Sequence, residues 1–459
     1  MTDTITSPAA IATDTAAPPA VSFMEAFRFW LKLGFISFGG PAGQIAIMHT
    51  ELVERRRWIS EKRFLHALNF CMVLPGPEAQ QLATYIGWLM HRGWGGIVAG
   101  ALFVLPSLFI LIALSWVYIA FGHVPWVAGV FFGLKPAVAA LVVHAAHRIG
   151  LRALKNRWLW AIAAAAFVAI FAFDVPFPAI VIAAGLIGHF GGRAVPTVFA
   201  LGGGHGAAKQ DFGPALIDDD TPTPAHALFS RNRLLRVLIV GVLMWAAAMA
   251  ALVARYGIDH TLTQMGWFFT KAALLTFGGA YAVLPYVYQG AVEHHQWLSG
   301  AQMIDGLALG ETTPGPLIMV VAFVGFVGGW LKQVLGPDAL FLGGALAATV
   351  VTFFTFLPSF VFILAGGPLV ESTHGNLKFT APLTAITAAV VGVILNLALF
   401  FAYHVLWPQG FSGPFSLASA LITVAAAVAL FRFKVGVIPL LGACAAAGLA
   451  ITLASPFFR

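Results

Sequence analysis

The sequence predicts an all-α polytopic membrane protein made of two related halves. Two observations carry the membrane class. Of the 459 residues, 60% are hydrophobic and 9% charged, where a soluble domain carries about 25% charged residues. Apolar segments recur at roughly 24–48, 64–91, 95–120, 126–147, 158–173, 175–190, 234–254, 264–289, 304–330, 339–366, 380–403, 415–431 and 435–455. Runs of about 18 or more such residues read as membrane segments. Stretches such as Ala161–Ala172 and Ala418–Leu430 do not alternate in polarity, as the strands of a membrane β-barrel would.

A third observation carries the duplication. Phe38-Gly39-Gly40 recurs as Phe277-Gly278-Gly279, Lys32 as Lys271, Trp58 and Ser60 as Trp297 and Ser299, and Pro75-Gly76-Pro77 as Pro314-Gly315-Pro316. All share one offset of 239 residues. At a longer spacing, Leu105-Pro106-Ser107 matches Leu357-Pro358-Ser359, and weaker matches link Pro136 with Pro382 and Pro178 with Pro439.

In chain order, residues 1–22 are rich in Thr, Ala and Pro and read as a disordered tail; they lack the charged and apolar regions of a signal peptide. The first repeat covers 23–192. Residues 193–233, with Gly202-Gly203-Gly204, Asp218-Asp219-Asp220 and prolines at 214, 222 and 224, read as a polar linker. A connecting membrane helix at 234–256 precedes the second repeat at 262–459. Cys71 and Cys444, in apolar surroundings, read as reduced core residues.

Loop charge orients the halves. Residues 49–63 hold Arg55, Arg56, Arg57, Lys62 and Arg63, while 288–302 holds no Lys or Arg. The loop at 148–157 holds Arg148, Arg152, Lys155 and Arg157, and its counterpart near 404–415 holds none. Asp174 marks one bend, Arg432 and Lys434 its counterpart. Under the positive-inside rule each pair faces opposite sides, so the repeats are inverted, as in many secondary transporters. The net charge of +7 is then topogenic rather than a nucleic-acid surface. Parity favours nine full crossings plus four re-entrant hairpins, turned at the Gly-Gly and Pro-Gly-Pro motifs. Thirteen plain spans is the competing count.

The paired breaks are the candidate site. Pro-Gly-Pro cannot continue a helix, and broken backbone at membrane depth must face protein or a polar cavity. The helix after each break presents free N–H groups and a positive dipole end, the elements of an anion site. The candidate binding residues are Phe38, Gly39, Gly40, Pro75, Gly76, Pro77, Gly278, Gly279, Thr313, Pro314, Gly315 and Pro316. Lys32 and Lys271 join them as costly membrane cations, and Gln44, Asn69, Gln80, Gln81 and Thr276 as hydrogen-bond donors. Glu78 follows one break and Glu311 precedes the other; a membrane carboxyl can carry a proton, so both are candidates for proton coupling. The histidines, including His144 and His147, lack zinc-like spacing. Gly202-Gly203-Gly204-His205 is not a phosphate loop. No cofactor is expected, and no nucleophile–base or metal constellation argues for an enzyme.

Phe38-Gly39-Gly40-Pro41, Arg57-Trp58-Ile59-Ser60 and the run Leu74-Pro75-Gly76-Pro77-Glu78-Ala79-Gln80-Gln81-Leu82-Ala83-Thr84-Tyr85-Ile86-Gly87 closely resemble the chromate ion transporter family. Thr276-Phe277-Gly278-Gly279, Trp297-Leu298 and Thr313-Pro314-Gly315-Pro316 repeat the pattern, as in its long, two-domain form. The resemblance implies export of chromate, driven by the proton motive force, across a bacterial inner membrane, with chromate resistance as the outcome. The expected partners are chromate or a similar oxyanion, protons and the lipid bilayer, with no nucleic acid; a homodimer is compatible with the sequence. Other oxyanions such as sulfate, and a passive anion channel, are the alternatives. After Pro-Gly-Pro the second half departs from the pattern, with Leu317-Ile318 in place of the acidic and amide run.

Overall fold

A computed structural model describes residues 18–199, 212–222, 224–277, 279–373 and 380–454; these residues are overwhelmingly helical. Most of the tail (1–17), the Gly202-Gly203-Gly204-His205 motif and Gly278 lie outside them. Ser22, the last residue assigned to the tail, caps the first helix by accepting from the Glu25 N–H at 3.2 Å.

The helices of the first half are α1 (Phe23–Ile36), α2 (Gly40–His49), α3 (Glu61–Cys71), α4 (Glu78–Phe121), α5 (Pro125–Ala153), α6 (Arg157–Phe173), α7 (Phe177–Ala194) and the short α8 (Pro196–Phe199). Then come α9 (Arg231–Tyr256), α10 (Thr261–Leu274), α11 (Ala280–Tyr288), α12 (Gly300–Thr312), α13 (Val320–Leu331), α14 (Leu340–Thr373), α15 (Thr380–Leu406), α16 (Leu417–Phe431) and α17 (Val437–Ala454). Among the described residues, seven helices are long and apolar enough to cross a membrane. By contrast α1, with 14 residues, reaches only about 21 Å at 1.5 Å per residue, short of a ~30 Å hydrocarbon core. The same holds for α2, α3 and α10–α13. These short helices are the ones flanking the four breaks.

The backbone recurs as the sequence does. A π-helical turn follows α2 at Thr50–Arg55 and another follows α11 at Gln289–His294, the same offset of 239 residues. Arg57 and Gln296 then both take a φ of 51°. The shared Trp-x-Ser has a physical reason: Trp58 and Trp297 are buried, while Ser60 and Ser299 cap α3 and α12.

α4 is two antiparallel arms, 78–90 and 93–121, folded back at His91 and Arg92, where the φ of Arg92 is 58°. The arms touch through glycine: a Cβ on Gly87 would stand 2.5 Å from the Gly95 carbonyl oxygen. α13 and α14 form the matching hairpin, turned near Gln333 and Gly336.

The halves interlock. α5 packs on α16 and α17, while α15 packs on α6 and α7, and α5 crosses α15 between them. Cys71 and Cys444 are buried and free.

The described part of the linker does more than space the halves. Residues 212–222 and 224–230 lie along the first half, where Ile217 pairs with Ile59 as a parallel bridge. Asp219 accepts from Ser60 Oγ at 2.7 Å, and the Arg63 guanidinium donates to the Thr221 carbonyl at 2.7 Å.

Candidate functional site

Each break ends one short helix and starts another under a glycine of positive φ: Gly39 (88°), Gly76 (130°), Gly279 (93°) and Gly315 (99°). The breaks meet crosswise. The Gly76 N–H donates to the Thr276 carbonyl at 2.8 Å, and the Gly315 N–H donates to the Ser37 carbonyl at 2.8 Å. Each Pro-Gly-Pro of one half is therefore latched to the Phe-Gly-Gly break of the other. The Leu-Pro-Ser motifs complete the exchange. A Cβ on Gly76 would lie 3.0 Å from Ser359 Oγ, and one on Gly315 would lie 2.8 Å from Ser107 Cβ. Glycine is required here twice over, for conformation and for space.

Around this crossing the predicted side chains are tightly engaged. Gln44 donates to the Gly315 carbonyl at 2.5 Å. Gln80 accepts from Ser359 Oγ at 2.8 Å and donates to Thr84 Oγ1 at 3.0 Å. Gln81 donates to the Pro75 carbonyl at 2.8 Å. Gln44 Oε1, Asn69 Oδ1 and Gln81 Oε1 are buried with no hydrogen-bond partner among the described residues. Thr276 and Thr313 spend their hydroxyls on carbonyls of their own helices, those of Ala272 and Gly310. Thr276, just past the end of α10 and fully buried, bonds back to position i−4 as threonines near helices do.

A cavity of about 210 Å³ reaches the first break. It is lined by Gly39 and Gly40, by Leu141, His144, Ala145 and Arg148 of α5, by Tyr281 and Glu311, and by Leu430, Val435, Gly436 and Val437. At ~30 Å³ per water, that volume holds a tetrahedral oxyanion with part of its hydration. The Tyr281 hydroxyl donates to the Glu311 carboxylate. Gly40, the first residue of α2, lines the cavity, and the first N–H groups of a helix have no helical partner. The α16–α17 turn beside it carries Arg432 and Lys434. The site thus joins a guanidinium, a helix N-terminus and one carboxyl, a combination able to hold an anion and exchange a proton beside it.

Phe38 is half-buried at the same break. Pro75, Pro77, Pro314 and Pro316 frame the crossing, and Glu78 opens α4 there, its Oε1 lying 3.8 Å from a Cβ placed on Gly279. The two lysines lie elsewhere. Lys32 is exposed and lines a separate cavity of about 280 Å³ with Arg28 and Arg56. Lys271 is exposed with its Nζ 5.9 Å from the Trp267 ring centre. Their long stems let the ammonium leave the apolar interior.

Arg148, His144 and Tyr281 are the site residues that sequence reasoning missed. Arg148 reads as loop charge, yet α5 continues through it to Ala153. Its signal was the i, i+4 pair of His144 and Arg148, which shares one helix face.

Apolar helices long enough to span a bilayer, wrapped around paired breaks and a polar cavity, define a multi-pass membrane transport protein. Residues 24–189 and 263–449 match the model of the chromate transporter family. The chain belongs to that family. It is 34% identical over 396 residues to a chromate transport protein of Pseudomonas aeruginosa, covering 84% of this chain and 83% of the relative. It is 28% identical to a chromate transport protein of Cupriavidus metallidurans, covering 84% of each chain. An uncharacterized transporter of Methanocaldococcus jannaschii is 24% identical, over 84% of this chain and 86% of its own. No solved structure matches the chain.

Proposed function

We propose that this protein is a secondary active transporter that exports chromate from the cytoplasm across a bacterial inner membrane, driven by the proton motive force. The observation that carries the reading is the cavity joining the Gly39–Gly40 helix start to Arg148 and Glu311. The oxyanion sits against the α2 N-terminus and the Arg148 guanidinium, where charge-assisted hydrogen bonds are strong. Glu311, held by Tyr281, takes and returns the proton. Its neutral form leaves the dianion unopposed and its carboxylate repels it; a dianion leaving with one proton still carries net negative charge outward, so the inside-negative potential, the electrical part of the proton motive force, drives export.

The two repeats stand in the membrane with inverted topology, and the segments turned at the four breaks enter and leave on one side. Short helices at every break and the loop charges support this arrangement. The Arg432–Lys434 turn and Arg148 then share the cytoplasmic side, so the cavity collects anions from the cytoplasm. The chain acts as a carrier rather than an enzyme, with the oxyanion, protons and lipid as its partners.

Purified protein in vesicles tests the reading. Chromate movement that follows an imposed proton gradient is the expected result. Sulfate movement without chromate movement would overturn the substrate. Conductance indifferent to the proton gradient would make the protein a channel.

A further inference from the structure

Asp305 lies in α12, six residues before Glu311, or about 9 Å along the helix. Its side chain is 3% exposed and pairs with Lys135 Nζ at 3.2 Å. The Tyr118 hydroxyl donates to the same oxygen, Oδ2, at 2.9 Å. Oδ1 is buried with no hydrogen-bond partner among the described residues. A buried carboxylate with one oxygen left unsatisfied, paired with a lysine that is itself 34% exposed, is a poor source of stability, so packing alone is a weak reason for it.

Its position gives a better one. Lys135 is on α5, the helix that carries His144 and Arg148 into the anion cavity. Thirteen residues separate Lys135 from Arg148, about 20 Å of helix. α12 carries Asp305 beside one cation and Glu311 at the cavity lined by the other. The two helices thus hold two cation–carboxyl stations, one at each end of their contact. Asp305 has His66 at the corresponding place in the first half, so this station is not a by-product of the duplication.

The surroundings of Asp305 are otherwise free of charge. α5 faces it with Lys135 and α4 with Tyr118. Among the elements packed on α12, α13 contributes no titratable side chain over Val320–Leu331, α17 only Cys444, and α15 only Tyr403 and His404, near its far end.

We propose that Asp305 and Lys135 form a second oxyanion-binding station, opened when Asp305 takes up a proton. The inference rests on the transport reading above. One proton passes from water to the Asp305 carboxylate, giving a neutral carboxyl, while the Lys135 ammonium keeps its charge. The pair goes from net zero to one positive charge, and an oxyanion leaving the Arg148 cavity becomes the counter-ion of Lys135. When Asp305 returns its proton to water, the carboxylate reclaims Lys135 and displaces the anion. Binding of proton and anion are thereby linked at a site distinct from Glu311.

The test uses the full-length protein in vesicles, with chromate as the probe. Wild-type net flux should vary with pH on the proton-accepting side by up to about tenfold per unit, the limit for one bound proton. Asp305→Asn should lose net proton-driven flux and keep chromate–chromate exchange with a shallower pH response, the part that remains being the one Glu311 sets. Lys135→Gln should lose flux of both kinds by tenfold or more, and Lys135→Arg should restore most of it. The double variant D305N/K135Q removes both charges and should fold, as judged by a monodisperse elution profile, yet remain inactive. A D305N protein with the wild-type pH profile, or folded but inert in exchange, overturns the station. So does a K135Q protein with normal flux. Wild-type vesicles that move no oxyanion overturn the transport reading itself and the station with it.

Discussion

Gly76 donates its backbone N–H to the Thr276 carbonyl at 2.8 Å, and Gly315, its counterpart 239 residues later, donates to Ser37, the counterpart of Thr276, at the same distance. Two hydrogen bonds related by the duplication tie the halves together where their helices break. An alanine at Gly76, with φ at 130° and its Cβ 2.6 Å from Gln81 Nε2, must strain or displace the latch. Gly76→Ala and Gly315→Ala should each lower stability by about 1–3 kcal/mol, the range for a residue held in a disfavoured backbone region. Thermal unfolding of detergent-purified protein measures this. Unchanged midpoints in both would show that the breaks tolerate a side chain.

Arg148 supplies the guanidinium of the cavity. Arg148→Gln should weaken chromate binding by about 10–100-fold, from ~1.5–3 kcal/mol for hydrogen bonds to a charged group. Arg148→Lys should recover part of the loss, since it keeps the charge and gives up the planar fork. Equilibrium binding to purified protein decides it.

Glu311 sets the sign of the pH response. Its carboxylate faces the same cavity as the anion, so binding should strengthen as the pH falls and the carboxyl becomes neutral. Glu311→Gln should tighten binding near neutral pH, flatten its pH response to the part set by Asp305, and lose proton-driven flux. Binding whose pH response matches the wild type would move the proton site of the cavity elsewhere.

The docked linker carries its own pH dependence. His226 Nε2 lies 2.9 Å from the Trp88 carbonyl. Burial pushes its imidazole below the ordinary histidine value; the Trp88 carbonyl opposes this, and Arg92 and Arg233 add to it. A lowered value means that the undocked linker binds the proton more readily. Docking is therefore fully favoured above about pH 6.5 and weakens as the pH falls towards the docked value. Limited proteolysis within 212–230 should speed up in acid, and His226→Gln should remove that change.

Single cysteines at positions 92, 122 and 152 test the inverted, re-entrant arrangement. Cys71 and Cys444 are buried and leave little background. Positions 92 and 152 should label from the cytoplasmic side and position 122 from the opposite side. A further single cysteine at position 55, which is exposed, decides the count: it should label from the same side as 92, and labelling from the opposite side would favour plain spans.

Much of this protein was legible in its sequence because the signals are local. Apolar runs state the solvent in which helices form, and Pro-Gly-Pro and Gly-Gly state where they break. The offset of 239 residues between motifs carried over to backbone angles, as at Arg57 and Gln296. What the sequence left open is where side chains go once helices pack. Lys32 and Lys271 repeat as faithfully as the glycines, yet their helices turn them outward. Arg148 repeats with nothing, and α5 carries it to the cavity. Asp305 and Lys135 are 170 residues apart, and only the crossing of α5 and α12 brings them to 3.2 Å. The paired breaks belonged to the sequence because backbone conformation is set by neighbours in the chain. The charges that serve them belonged to the tertiary structure, because a helix can present a side chain to lipid or to the core with the same local residues.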